Sequence, residues 1–115
     1  MPPRRVRHRE IDDMLTLTFD PEPKTRSHAL RELCPCHVKA NDDRIWSRIL
    51  EMASDPDVRV RRTVVHALAD GSPRSLEQHV IATLESMRSD ADQRLSKTVR
   101  RLLDHHRRTG QINVL

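Results

Sequence analysis

Three segments of this chain align without gaps at a spacing of 35 residues: Asp20-Pro21-Glu22-Pro23-Lys24-Thr25-Arg26, Asp55-Pro56-Asp57-Val58-Arg59-Val60-Arg61 and Asp90-Ala91-Asp92-Gln93-Arg94-Leu95-Ser96. The register continues in apolar columns on both sides. Upstream, Ile11, Trp46 and Ile81 align, then Met14, Ile49 and Leu84, then Leu17, Met52 and Met87. Downstream, Ala29, Val64 and Val99 align, as do Leu33, Leu68 and Leu103. A period of this length means that one supersecondary unit is used three times. Such a unit does not bury its apolar face alone, so the chain must fold as a stack of neighbours with one continuous core.

Each unit reads as a pair of helices. The first members span about 8–18, 42–53 and 74–88, with apolar residues at helical spacing. The second members start at Asp20, Asp55 and Asp90 and run to about 34, 69 and 108. Asp followed by Pro is a helix-start signal, an N-cap and then a residue that needs no N–H. Glu22, Asp57 and Asp92 place an acid against the positive end of each helix dipole. Asn41 and Ser72 are expected to cap the next first helices, and Gly71 and Gly110 stand where helices should stop. These are the only glycines, beside seven prolines and no tyrosine. So few glycines exclude Walker and Rossmann phosphate loops and disfavour a sheet protein. Trp46, with Ile11 and Ile81 in its column, is expected in the core.

The pattern of first helix, Asp-rich turn, Val-Arg and an Ala/Leu-spaced second helix resembles a HEAT repeat, related to armadillo repeats. Val60-Arg61 matches that signature best, Thr25-Arg26 keeps the arginine, and Leu95-Ser96 does not. The resemblance covers about 8–108, with repeats at about 8–36, 42–71 and 74–108. It implies an all-α, right-handed solenoid of helical hairpins, about six helices in three repeats. It also implies that the second helices line the concave side. HEAT-like relatives include phycobilin lyase subunits and DNA-binding alkyl-purine glycosylases, so the fold alone does not select a function.

Charge is placed unevenly. The net charge is +4, yet residues 1–9 carry four Arg and no acid, residues 10–56 six bases and ten acids, and residues 57–115 eleven bases and seven acids. On the third second-helix, Leu95, Val99, Leu102 and Leu103 point one way, and Arg94, Lys97, Arg101 and Arg108 the other. Shifting this stripe by one and two periods yields Arg59, Arg62 and His66, then Lys24, Ser27 and Arg31. Arg108 aside, the nine equivalent positions hold seven Lys or Arg and no acid, in a chain with seventeen acids. Clustered like charge on one face attracts an anionic partner. The competing reading is that long basic side chains solvate exposed helices, some of them pairing with turn acids such as Asp57 or Asp92.

The expectation is therefore a non-catalytic binding or scaffold module, favouring an acidic protein partner on a basic concave surface. One alternative is nucleic-acid backbone binding on the same surface. It is weakened because Phe19 and Trp46 are the only aromatics available to stack bases. A second alternative is an accessory subunit of a lyase-like complex.

Cys34-Pro35-Cys36-His37 is a weak metal candidate (Cys34, Cys36, His37, with His28 nearby), since its C-x-C spacing has no second pair. The plainer reading is a proline-terminated helix with Cys34 packed between repeats. Asp104-His105-His106-Arg107-Arg108 reads as a solvated helix end. No catalytic signature occurs, so no enzyme activity and no cofactor are expected. No apolar run is long enough for a membrane span, and two cysteines do not staple a secreted domain, so a cytoplasmic protein is expected. Residues 1–7 read as a basic tail, and residues 109–115 as an apolar tail that either caps the last repeat or docks elsewhere.

Overall fold

The computed structural model describes residues 8–34 and 42–112. Its helices pair as α1 (His8–Leu17) with α2 (Pro23–Leu33), α3 (Asp43–Glu51) with α4 (Val58–Gly71), and α5 (Glu77–Ser86) with α6 (Gln93–Thr109). A 3-10 turn, Met52–Ser54, extends α3, and another, Arg74–Leu76, leads into α5. Among the described residues there is no strand. The result is an all-α helical-repeat solenoid.

The apolar columns become one core. Leu30, Leu33, Trp46, Ile49, Val64, Leu68, Leu84 and Val99 all belong to a single buried cluster. The pairing of α2 with α4 is the most extensive packing between helices of different repeats. One column is uneven: Met52 and Met87 are 2% and 3% exposed, whereas Leu17 is 36% exposed.

The turn before each second helix differs from the expectation. The helices begin three residues later than the Asp20, Asp55 and Asp90 starts. Glu22, Asp57 and Asp92 are the N-caps, accepting from the backbone N–H of Lys24, Arg59 and Leu95. Asp20, Asp55 and Asp90 instead accept from the N–H of Glu22, Asp57 and Asp92, each at 2.9 Å. Each Asp therefore folds the turn around its own side chain, and the second acid, nearer the helix, takes the open donor. Pro21 and Pro56 belong to this turn, and only Pro23 occupies a first helical position.

Three further corrections concern caps. Asp42 caps α3 through the N–H of Arg44, and Asn41 lies outside the described residues. Ser72 closes α4 rather than opening the next helix, which starts from Pro73 as a 3-10 turn. Gly71 is the last residue of α4 with no positive φ; Gly110 alone uses glycine's freedom, at φ 75°, with its N–H on the His106 carbonyl.

An arginine ladder joins the repeats. Arg26 grips Asp55 with Nε at 2.9 Å and Nη2 at 3.0 Å, while its Nη1 donates to the Asp20 and Pro21 carbonyls. Arg61 repeats this one period later, on Asp90 at 2.8 and 3.1 Å and on the Asp55 and Pro56 carbonyls. Each guanidinium thus closes its own turn and holds the turn of the next repeat. At the third position stands Ser96, whose hydroxyl donates to the Arg88 carbonyl at 2.7 Å.

A second column also changes at α6. Leu30 and Val65 are buried, and the residue one period on is Arg100, which is exposed. α6 thus carries a charged, solvated side chain where α2 and α4 carry apolar ones in the core. Beyond α6 the chain turns back, and Ile112, 4% exposed, joins the common core. Residues 1–7, Cys36, His37 and 113–115 lie outside the described residues.

Candidate binding surface on the second helices

The ladder sets the register of the second helices. Because Arg26 and Arg61 place consecutive turns in the same way, residues one period apart occupy equivalent places. Lys24, Arg59 and Arg94 form one row, Ser27, Arg62 and Lys97 a second, and Arg31, His66 and Arg101 a third.

Two of these repeats enclose a groove. Between α2 and α4 lies a cleft of about 600 Å³ lined by Lys24, Arg31, Arg59, Arg62 and His66, with Cys34 also in its wall. Ser27 and Thr63 form part of its lining and share a buried hydrogen bond at 2.9 Å. Thr63 also donates to the Arg59 carbonyl, so the shared bond ties α2 to α4 without leaving a hydroxyl unsatisfied. On α6 a shallower depression of about 720 Å³ gathers Arg94, Lys97 and Arg101, together with Thr98 and Arg100. Arg108 lines neither depression; it turns to Asp104, Nε to Oδ2 at 3.1 Å.

The cations are not equivalent. Arg59 folds onto the cap Asp57, and this hydrogen-bonded pairing pulls the Asp57 carboxyl down to about 2. Arg62 reaches the next repeat's cap, Asp92, at 2.9 Å. The Asp92 carboxyl is held below its ordinary value first by the Leu95 N–H and then by Arg62. By contrast, among the described residues Lys24, Arg31, Arg94 and Lys97 are exposed and carry no ion pair. Their charge is available to a ligand without displacing an internal partner. Arg100 was not part of the sequence stripe; its signal was a cation in a column that is otherwise apolar.

The cysteine motif divides. Cys34 is 1% exposed and belongs to the core, as the plainer reading expected. His28 is exposed and faces Glu32 on its own helix at 3.8 Å. Cys34 Sγ instead points to α4, where Asp70 Oδ2 lies 3.8 Å away and His66 stands beside it. Sequence spacing did not show this trio, because its members come from two repeats. The Asp104–Arg108 stretch also carries more than solvated charge, since His106 Nε2 meets Glu77 Oε1 of α5 at 3.2 Å.

No helix among the described residues is long and apolar enough to cross a membrane. The chain finds no match among curated proteins or among solved structures. A family model described as HEAT repeats matches residues 11–104. HEAT repeats generally serve as non-catalytic scaffolds for protein–protein interaction. The period, the paired helices and the arginine ladder agree with that match, and the chain belongs to the HEAT-repeat family.

Proposed function

We propose that this chain is a non-catalytic binding module whose second-helix face takes an acidic segment of a partner protein. The carrying observation is that Lys24 and Arg31 in the α2–α4 cleft and Arg94 and Lys97 in the α6 depression stand exposed and, among the described residues, without ion pairs. An extended acidic peptide presents carboxylates at short, regular intervals and can follow such rows from repeat to repeat. Unpaired surface cations of one sign speed its encounter and exclude cationic competitors. The reading fits a cytoplasmic protein whose thiols stay reduced.

A labelled polyglutamate peptide, titrated into wild type and into the charge reversal Arg31→Glu with Lys97→Glu, tests this. Both residues are exposed and lack ion pairs among the described residues, so the fold should be unchanged by circular dichroism. The wild type should bind, and more weakly as salt rises; the variant should lose binding by at least about tenfold. Equal binding by both proteins would sink the proposal. So would a duplex DNA that outcompetes the peptide, because that result assigns the surface to the phosphate backbone.

A further inference from the structure

We propose that Cys34, His66 and Asp70 form a binding site for a thiophilic divalent metal of the zinc class, at the end of the α2–α4 groove. Cys34 closes the C-terminus of α2, while His66 and Asp70 stand one turn apart on α4 and so share a face. Cys34 Sγ, a ring nitrogen of His66 and a carboxylate oxygen of Asp70 all lie within 4.8 Å of one another, with sulfur and carboxylate at 3.8 Å. Tetrahedral zinc, with bonds of about 2.0–2.3 Å, holds its donor atoms roughly 3.3–3.8 Å apart. Cys34 and Asp70 already stand at that spacing. His66 is exposed, so its ring can close the small remaining gap by side-chain rotation.

The donor set suits the ion. Thiolate, imidazole and carboxylate are all zinc ligands, and the two anions neutralise a divalent cation. On binding, Cys34 releases its proton to solvent as the metal–sulfur bond forms. The frame is rigid, because Ser27···Thr63 and Arg26–Asp55 already fix α2 and the turn before α4. Arg31 and Arg62 line the same groove, which disfavours a bare cation there. Two ligand charges offset that repulsion, and the same arginines favour an anion or hydroxide at the fourth metal position. This trio replaces the C-x-C-H reading: one member of that motif is kept, and its other ligands come from the next repeat.

Titration of the chelator-treated full chain with zinc chloride, against a chromophoric competitor, measures affinity. Cobalt chloride reports the sulfur ligand through a thiolate-to-cobalt charge-transfer band. Wild type is expected to bind one zinc per chain, and His66→Ala to bind at least about 100-fold more weakly, more than loss of an outer partner usually costs. Asp70→Asn should behave similarly, and Cys34→Ser should lose the charge-transfer band. His66 is exposed, so its variant keeps the wild-type circular dichroism and isolates the metal effect. Cys36→Ser with His37→Ala should bind zinc as wild type does. Absence of one-to-one binding, wild-type affinity in His66→Ala, or loss of zinc in the Cys36/His37 variant would each overturn the assignment.

Discussion

Arg61 and Arg62 are neighbours, and each forms an ion pair with the third repeat's turn at 2.8–2.9 Å. Replacing each with alanine separates a structural charge from a surface one. The Arg61–Asp90 pair is 16% and 8% exposed, and the arginine also satisfies two backbone carbonyls. Arg61→Ala leaves the largely covered Asp90 carboxylate with, among the described residues, only the Asp92 N–H as a donor. Losing one partner of a buried pair costs about 3–5 kcal/mol, and the residual exposure here argues for the lower end, about 3 kcal/mol. For a 115-residue chain the unfolding entropy makes this a fall in Tm of about 12 °C. The Arg62–Asp92 pair is 48% and 25% exposed. Solvent screens it, so Arg62→Ala should lower Tm by no more than about 3 °C. Arg61→Lys should not restore stability, because an ammonium cannot span Asp90 and two carbonyls in a planar fork. Calorimetry at one ionic strength decides the matter. Equal Tm shifts for Arg61→Ala and Arg62→Ala, or rescue by lysine, would refute the claim that the ladder holds the repeats together.

The remaining expectations rest on other parts of the molecule. Asp57, Asp90 and Asp92 titrate below their ordinary range, so the stability they add is full above about pH 5. It is lost as pH falls through the lowered values, reaching about 2 for Asp57; acid unfolding followed by circular dichroism should steepen below pH 4, and Asp57→Asn should flatten it. Truncation after Gly110 removes the buried Ile112 and should cost about 1.5–3 kcal/mol, a Tm fall of about 6–12 °C. An unchanged Tm would show that the tail adds nothing to the core. Gly110→Ala meets no atom within 4 Å but sits at φ 75°, so it should lose about 1–2 kcal/mol from backbone strain alone, read by urea denaturation.

Much of the fold was legible because repetition amplifies weak signals. A single Leu or Val says little, but Ala29, Val64 and Val99 in one column mark a shared interior place, and all three are fully buried. The turns were harder. Asp-Pro matches a helix start locally, and whether Asp55 or Asp57 takes the helix N–H depends on turn geometry that spacing does not encode. The basic rows were readable as helical faces. Which of their cations are available was not: Arg62 is engaged by Asp92, which folding brings from the next repeat, and Arg59 closes on Asp57 two residues away whereas Lys24 makes no such pair with the equivalent Glu22. Arg100 and Ser96 were visible in their columns as departures, and only the structure shows that both donate to the Arg88 carbonyl.

By itself, the sequence determined the architecture. Period, helical spacing and capping chemistry are local properties, and stacking identical units requires no further instruction. Tertiary structure decided which side chains meet across repeats. Cys34 and Asp70 are 36 positions apart, yet their side chains lie 3.8 Å apart. Such meetings depend on how the packed core of α2 against α4 sets one helix over the other to within an ångström or so. A one-dimensional pattern specifies that two helices pack, and the shapes of the buried side chains between them specify which surface atoms then converge.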